Sequence, residues 1–193
     1  ILGMTILFSS IFSSISIIWD KEFGFFREIL AAPVSRLSIV IGKGLSGTVV
    51  STIQAVIVLL LFPVLGLNLG LLQIIEVLII AIALSFCIST FGILLATFYE
   101  SYESFSVIMN FIVMPMFFLS GAMYPVKLLP KPLAFATKLN PLTYGVDAFK
   151  NVIFPVEEGP MSADFSLVTD MAVLLILSFA FVVIAARLFE RKK

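Results

Sequence analysis

Few residues in this 193-residue chain are of types that do chemistry, and their spacing does not suit them to it. Asp147 and Asp170 come nearest to a general acid and base, but they stand at opposite ends of a long polar loop, and nothing in that setting predicts raised pKa values. Histidine is absent, so the usual general base and the usual zinc ligand are both missing, and the single cysteine, Cys87, has no partner to form a disulfide or a metal cluster. Gly42-Lys43-Gly44 places a lysine between glycines, yet Leu37 occupies the position where a phosphate loop needs its first glycine. Glu76 is the one acid inside an apolar stretch, within about one turn of its end, where interfacial water solvates it more readily than an ion relay would. No cofactor, metal or ATP hydrolysis is therefore expected of this chain itself.

A mechanical site is better supported. The segment from Asp20 to Arg36 carries Asp20, Lys21, Glu22, Arg27, Glu28 and Arg36 between two long oily stretches. Read as one helix over 20–32 at 100° per residue, Phe23, Phe26 and Leu30 form an apolar stripe flanked by Phe25 and Ile29. Gly24, Arg27 and Glu28 take the opposite arc. Such a helix lies flat at a membrane surface, sinks its apolar face and leaves Arg27 and Glu28 to a protein partner in water. Pro33 disfavours helix at Ala32, and Ser35 can cap a new helix from Arg36, so the segment ends in a sharp corner. A solvated loop between spans is the plainer alternative.

These residues need a membrane scaffold to position them. The chain is 61% hydrophobic and 12% charged, with a mean hydropathy of +1.18, against about a quarter charged in soluble domains. The expected fold is an all-α polytopic membrane helix bundle forming a single domain, with spans over 1–18, 37–62, 74–98, 105–122 and 169–188. Small-residue rows at Ser38, Gly42 and Ser46 and at Ser85, Ser89, Gly92 and Ala96 would let helices approach closely. Cys87 would be a small apolar side chain in the third span.

With the 20–36 loop and the tail on one side, that side holds Lys21, Arg27, Arg36, Lys43, Arg187, Arg191, Lys192 and Lys193, against Lys127, Lys131, Lys138 and Lys150 on the other. The C-terminus is therefore expected in the cytoplasm. An odd number of spans then puts Ile1 outside, so a subunit starting in the cytoplasm needs one further span upstream, six in all. Net charge is zero and basic residues do not cluster beyond the tail, so no nucleic acid partner is indicated.

From Ser120-Gly121 to Asn151 the chain is broken by Pro125, Pro130, Pro132 and Pro141 but stays apolar. Two short helices are expected, about Pro132 to Leu139 and Leu142 to Val152, hinged at Asn140-Pro141 and lying in or dipping into the outer membrane face. An ordinary ordered loop is the alternative. Pro155 to Phe165 reads as a solvated turn.

Two stretches carry a resemblance. Arg27-Glu28 followed by Ala32-Pro33-Val34-Ser35-Arg36 resembles the coupling-helix region of the type-2 ABC transporter permeases. Met114-Pro115, Phe118-Leu119-Ser120-Gly121, Tyr124-Pro125, Leu129-Pro130 and Asn140-Pro141-Leu142-Thr143-Tyr144 are similar, in order and spacing, to that family's signature around its fifth span and outer re-entrant helices. The likeness runs from the family's second span to the chain's end and is nearest to the daunorubicin and antibiotic-resistance export branch. It implies a permease in the cell membrane, paired with a second copy or close paralogue, in contact with membrane lipid and resting on a separate ATP-binding cassette subunit that holds ATP and Mg. Phe23, Gly24, Arg27, Glu28, Leu30, Pro33 and Ser35 would couple to that subunit. Phe8, Phe12, Asn110, Met114 and Phe117 would line the path, though each also serves plain helix packing. Gly121, Pro125, Asn140, Pro141 and Tyr144 would form the re-entrant hinge.

Two other classes compete. A secondary transporter or channel would need intramembrane charge pairs, broken mid-membrane helices or paired repeats, and the sequence displays none of these. A membrane enzyme would need the catalytic groups whose lack is described above.

Overall fold

The computed structural model describes residues 1–31, 33–122, 130–154 and 162–191. Among them all regular structure is helical, as the composition predicts. Helices α1 (Leu2–Glu22), α3 (Arg36–Leu60), α4 (Leu71–Ala96) and α8 (Leu167–Arg191) are long and apolar enough to cross a membrane. At about 1.5 Å per residue they match the ~30 Å hydrocarbon layer. A 3-10 turn, Pro63–Leu65, links α3 to α4.

The fourth expected span is shorter than its apolar run. Helix α5 (Tyr102–Phe118) has 17 residues, at the short limit for crossing a bilayer. Ser101 starts it by accepting the Ser104 N–H at 3.4 Å. Ser120 Oγ donates back to the Phe117 carbonyl at 2.6 Å, and Gly121 then turns the chain at φ 74°. Hydropathy carries the segment on to Ala122, whereas the serine and glycine end the helix at Phe118.

Helix α4 is the hub, packed on α1, α3, the short helix α7 (Pro141–Ile153) and α8. Its expected row, Ser85, Ser89, Gly92 and Ala96, is buried. A Cβ at Gly92 would run into Ser14 of α1, and one at Gly47 of α3 would lie 2.6 Å from Ser89 Oγ. On α3 the packed row is not Ser38, Gly42 and Ser46, which are exposed, but Gly44, Gly47, Thr48 and Ser51 on a neighbouring arc. Both rows have helical spacing, so spacing could not choose between them; the position of α4 does. Ser10 Oγ donates to Ser51 Oγ at 2.8 Å, satisfying two buried hydroxyls across α1 and α3.

Candidate functional site

The segment after α1 is not one flat helix. Helix α1 continues to Glu22, the Phe23 N–H closes on the Trp19 carbonyl at 2.9 Å, and Gly24 takes φ 82°, a left-handed conformation that glycine adopts without a Cβ penalty. A new helix, α2 (Phe25–Ala31), starts beyond it. The 100° periodicity is reset at Gly24, which splits the stripe expected of Phe23, Phe26 and Leu30.

Phe26 alone among the described side chains of that stripe is seated, 8% exposed, with its ring centroid 5.2 Å from that of Phe189 on α8. Phe23 is 71% exposed and does not hold the helix against the spans. Phe25 and Glu28 are exposed with it, as are Gly24, Pro33, Val34 and Ser35. Ser35 caps α3 by accepting the Ser38 N–H at 3.1 Å, as its position predicts. The side chains of Arg27 and Leu30 lie outside the described residues.

Lys21 ties this corner to the end of α4. From the last turn of α1 its Nζ donates to the carbonyls of Ala96 at 2.5 Å, Thr97 at 3.3 Å and Tyr99 at 2.8 Å, and lies 5.8 Å from the Phe26 ring centroid. Those carbonyls end α4 and begin the turn into α5, where a helix leaves acceptors unfilled and its dipole is negative. One ammonium thus joins α1, α4 and the approach to α5 beside the seat of α2. Lys43 Nζ pairs with Asp20 Oδ2 at 2.6 Å, tying α3 to α1.

The opposite end of the bundle is built around Asn140. Its side-chain amide donates to the Met116 carbonyl at 2.7 Å, and its Oδ1 accepts the Leu142 N–H at 3.0 Å, capping α7. Pro141 is the first residue of that helix, where its missing N–H costs nothing. Thr143 Oγ1 donates to the Leu119 carbonyl at 3.3 Å and the Tyr144 hydroxyl to the Lys138 carbonyl at 2.7 Å. The Asn140-to-Tyr144 run therefore fastens the end of α5 and the end of helix α6 (Lys131–Leu139) to the start of α7. Gly121 is buried beside it, while Pro125 lies outside the described residues.

Asp147 and Asp170 are not at opposite ends of anything. The chain folds back so that Asn151 Nδ2 reaches Asp170 Oδ2 at 3.2 Å, the Phe165 carbonyl at 3.0 Å and the Asp147 carbonyl at 3.3 Å. The Asp147 carboxylate accepts the N–H groups of Asp164 and Phe165 at 2.8 and 2.7 Å. Burial pushes its carboxyl above the ordinary carboxylate range, against those two donors, which favour the charged form. The cluster ties α7 to α8. Among the described residues no group of three acidic or cysteine side chains gathers to hold a metal ion.

Of the expected path residues, Phe8 and Phe12 stack on α1 with centroids 6.4 Å apart. They line a groove of about 420 Å³ with Ser9, Ser13, Trp19 and Gln54. Asn110 and Met114 are exposed on α5, and Phe117 is half-buried against the core; none of the three reaches that groove within one chain. Lys21, Thr143 and Asn151 were not singled out by sequence. Thr143 lay inside the Asn140-to-Tyr144 motif and Lys21 inside the charged 20–36 segment, but neither was given a role.

A bundle of apolar helices of this length, with a seated corner helix at one end and clamped short helices at the other, is an integral membrane protein. Residues 1–154 match the family described as ABC-2 type transporter, and the chain belongs to that family. It is 32% identical over 152 residues to the ycf38 transport permease of Cyanophora paradoxa, covering 78% of this chain and 52% of that protein. Its counterpart in Pyropia yezoensis is 31% identical over 148 residues, covering 70% and 47%. The inner membrane transport permease YadH of Escherichia coli K12 is 28% identical over 100 residues, covering 52% and 37%. The chain spans about half the length, or less, of these relatives. Proteins so named are membrane components of transporters rather than catalysts.

Proposed function

We propose that the chain is the permease part of an ATP-driven ABC exporter, coupled through its corner helix to a separate ATP-binding cassette subunit. The observation that carries this reading is the corner itself. Phe26 is wedged against Phe189 and Lys21 grips the end of α4, while Phe23, Phe25 and Glu28 stand exposed beside them. A push on the exposed face would be passed as a rigid-body movement to α1, α4 and α8 rather than absorbed by a loose loop. ATP and Mg belong to the cassette in this scheme.

Charge counting supports a cytoplasmic position for the corner and the C-terminus, with α6 and α7 outside as re-entrant or interfacial helices. Two copies would enclose the path, lined by Phe8, Phe12, Asn110, Met114 and Phe117, and such an aromatic and methionine surface suits varied apolar cargo. The motif likeness favours export of the drug and antibiotic class.

The test is co-purification of the cassette, with transport measured at unchanged membrane abundance, in the Arg27→Glu, Glu28→Arg double variant and separately in Phe23→Asp. Both should insert normally, because Phe23 and Glu28 are exposed and surface changes usually cost within about 0.5 kcal/mol. Both should lose cassette recovery or transport. Normal recovery and normal transport in both would return the corner to a passive connection.

A further inference from the structure

The connection between α3 and α4 is built unlike a loop in water. From Gly44 to Ile75 the sequence carries no charged residue. Within it Leu60, Leu61, Val64, Leu71 and Leu72 turn their side chains outward, Val64 at 82% exposed and Leu72 at 76%. Exposed apolar patches of this kind mark contact with a membrane or a protein. The backbone separates water from lipid. Each N–H from Leu61 to Leu67 donates within the turn or to the end of α3, Pro63 having none to give. The Leu67 N–H reaches the Phe62 carbonyl at 3.0 Å and the Gly66 N–H the Pro63 carbonyl at 3.1 Å, with Gly66 at φ 80°, which is the Schellman closure. Gln73 uses its side chain inward, accepting the Gly70 N–H at 2.9 Å and donating to the Val152 carbonyl at 3.0 Å. A turn in water needs no such closure, whereas the edge of the hydrocarbon layer penalises each open donor.

The depth of the turn agrees with this. Helices α3 and α4, of 25 and 26 residues, are about 38 and 39 Å long at about 1.5 Å per residue. That exceeds the ~30 Å hydrocarbon layer and falls just short of the ~40–45 Å reached with the headgroups. The turn that joins them therefore lies at the boundary of headgroups and acyl chains. Glu76 sits on α4 about 8 Å below Leu71, and helix side chains lean toward the N-terminus, so its carboxylate is directed back to the headgroups. We infer that the α3–α4 turn is a lipid-binding anchor: Leu61, Val64, Leu71 and Leu72 insert into one leaflet at that boundary, and the partner of this surface is the bilayer. The anchor needs only a membrane-embedded chain, so it is independent of the cassette-coupled reading and of which face is cytoplasmic.

The experiment uses single-tryptophan variants of the purified protein in phosphatidylcholine vesicles. Trp19→Phe removes the only tryptophan, and Val64→Trp or Leu72→Trp is then added, either serving if the other does not fold. Both positions are exposed, so the larger ring has room. With bromine atoms on the acyl chains near the headgroup, each variant should lose the larger part of its fluorescence, while aqueous iodide should leave it nearly unchanged. Phe111→Trp, halfway along the exposed face of α5, should instead respond most to bromines near the chain ends, which calibrates the depth. Quenching by iodide without a response to brominated lipid would place the turn in water and overturn the inference. So would indifference to both quenchers, which would mean that protein covers the turn.

Discussion

Replacing Lys21 by methionine keeps the length and apolar stem of the side chain and removes the ammonium that meets three carbonyls at 2.5, 2.8 and 3.3 Å. Hydrogen bonds from a charged donor contribute about 1.5–3 kcal/mol net. Lys21 is half-buried, and water can reach part of the vacated site, so the lower part of that range applies, about 1.5–2 kcal/mol. For a chain of this length each kcal/mol moves the thermal midpoint by about 2–4 °C, which gives a fall of about 3–8 °C. Cys87 supplies the assay. It is the sole cysteine and fully buried in α4, so a thiol-reactive fluorophore reports unfolding of the very helix that Lys21 holds. Lys21→Arg, which keeps the charge, should recover at least half of the loss. An unchanged midpoint in Lys21→Met would refute the argument that this one ammonium fastens the ends of α1 and α4. A loss in Lys21→Arg equal to that in Lys21→Met would refute the electrostatic part of it.

Two further outcomes follow from the α7 end. Asn140→Ala removes a helix cap and the bond to the Met116 carbonyl, and should cost about 1–2 kcal/mol; amide exchange should quicken at the end of α5 and the start of α7, and unchanged protection there would contradict the clamp. Asp147 has a folded-state pKa above its unfolded value because of burial, so the folded protein holds its proton longer than the unfolded chain does. Its contribution is therefore most favourable below the unfolded value of about 4 and is lost as pH rises through the folded value. The thermal midpoint should carry a component that falls with rising pH from about pH 4 and disappears in Asp147→Asn; an identical pH profile in that variant would rule the group out.

Which features were legible follows from the range over which each one is decided. The break at Gly24 was visible as a glycine but hidden by a periodicity that ran smoothly across it, since Phe23 and Phe26 satisfy a helical stripe whether or not the helix is continuous. The cap at Ser35 and the start of α7 at Asn140-Pro141 were readable because capping is a matter of a few adjacent residues. The pairing of Asp147 and Asp170 with Asn151 was not, because it depends on how the chain returns from α7 to α8, and no local rule sets that path.

Hydropathy, span lengths and the proline and glycine punctuation by themselves determined that this is a helical membrane protein, and the motifs around Arg27 and Asn140 placed it near its family. These are one-dimensional properties: the cost of exposing backbone to lipid acts on each segment separately, whatever its neighbours do. Which arc of α3 is packed, which phenylalanine seats α2 and which carbonyls Lys21 holds were decided only when α4 took its place among α1, α3 and α8. Every face of an apolar helix is acceptable to lipid, so only contact with a neighbouring helix can select one.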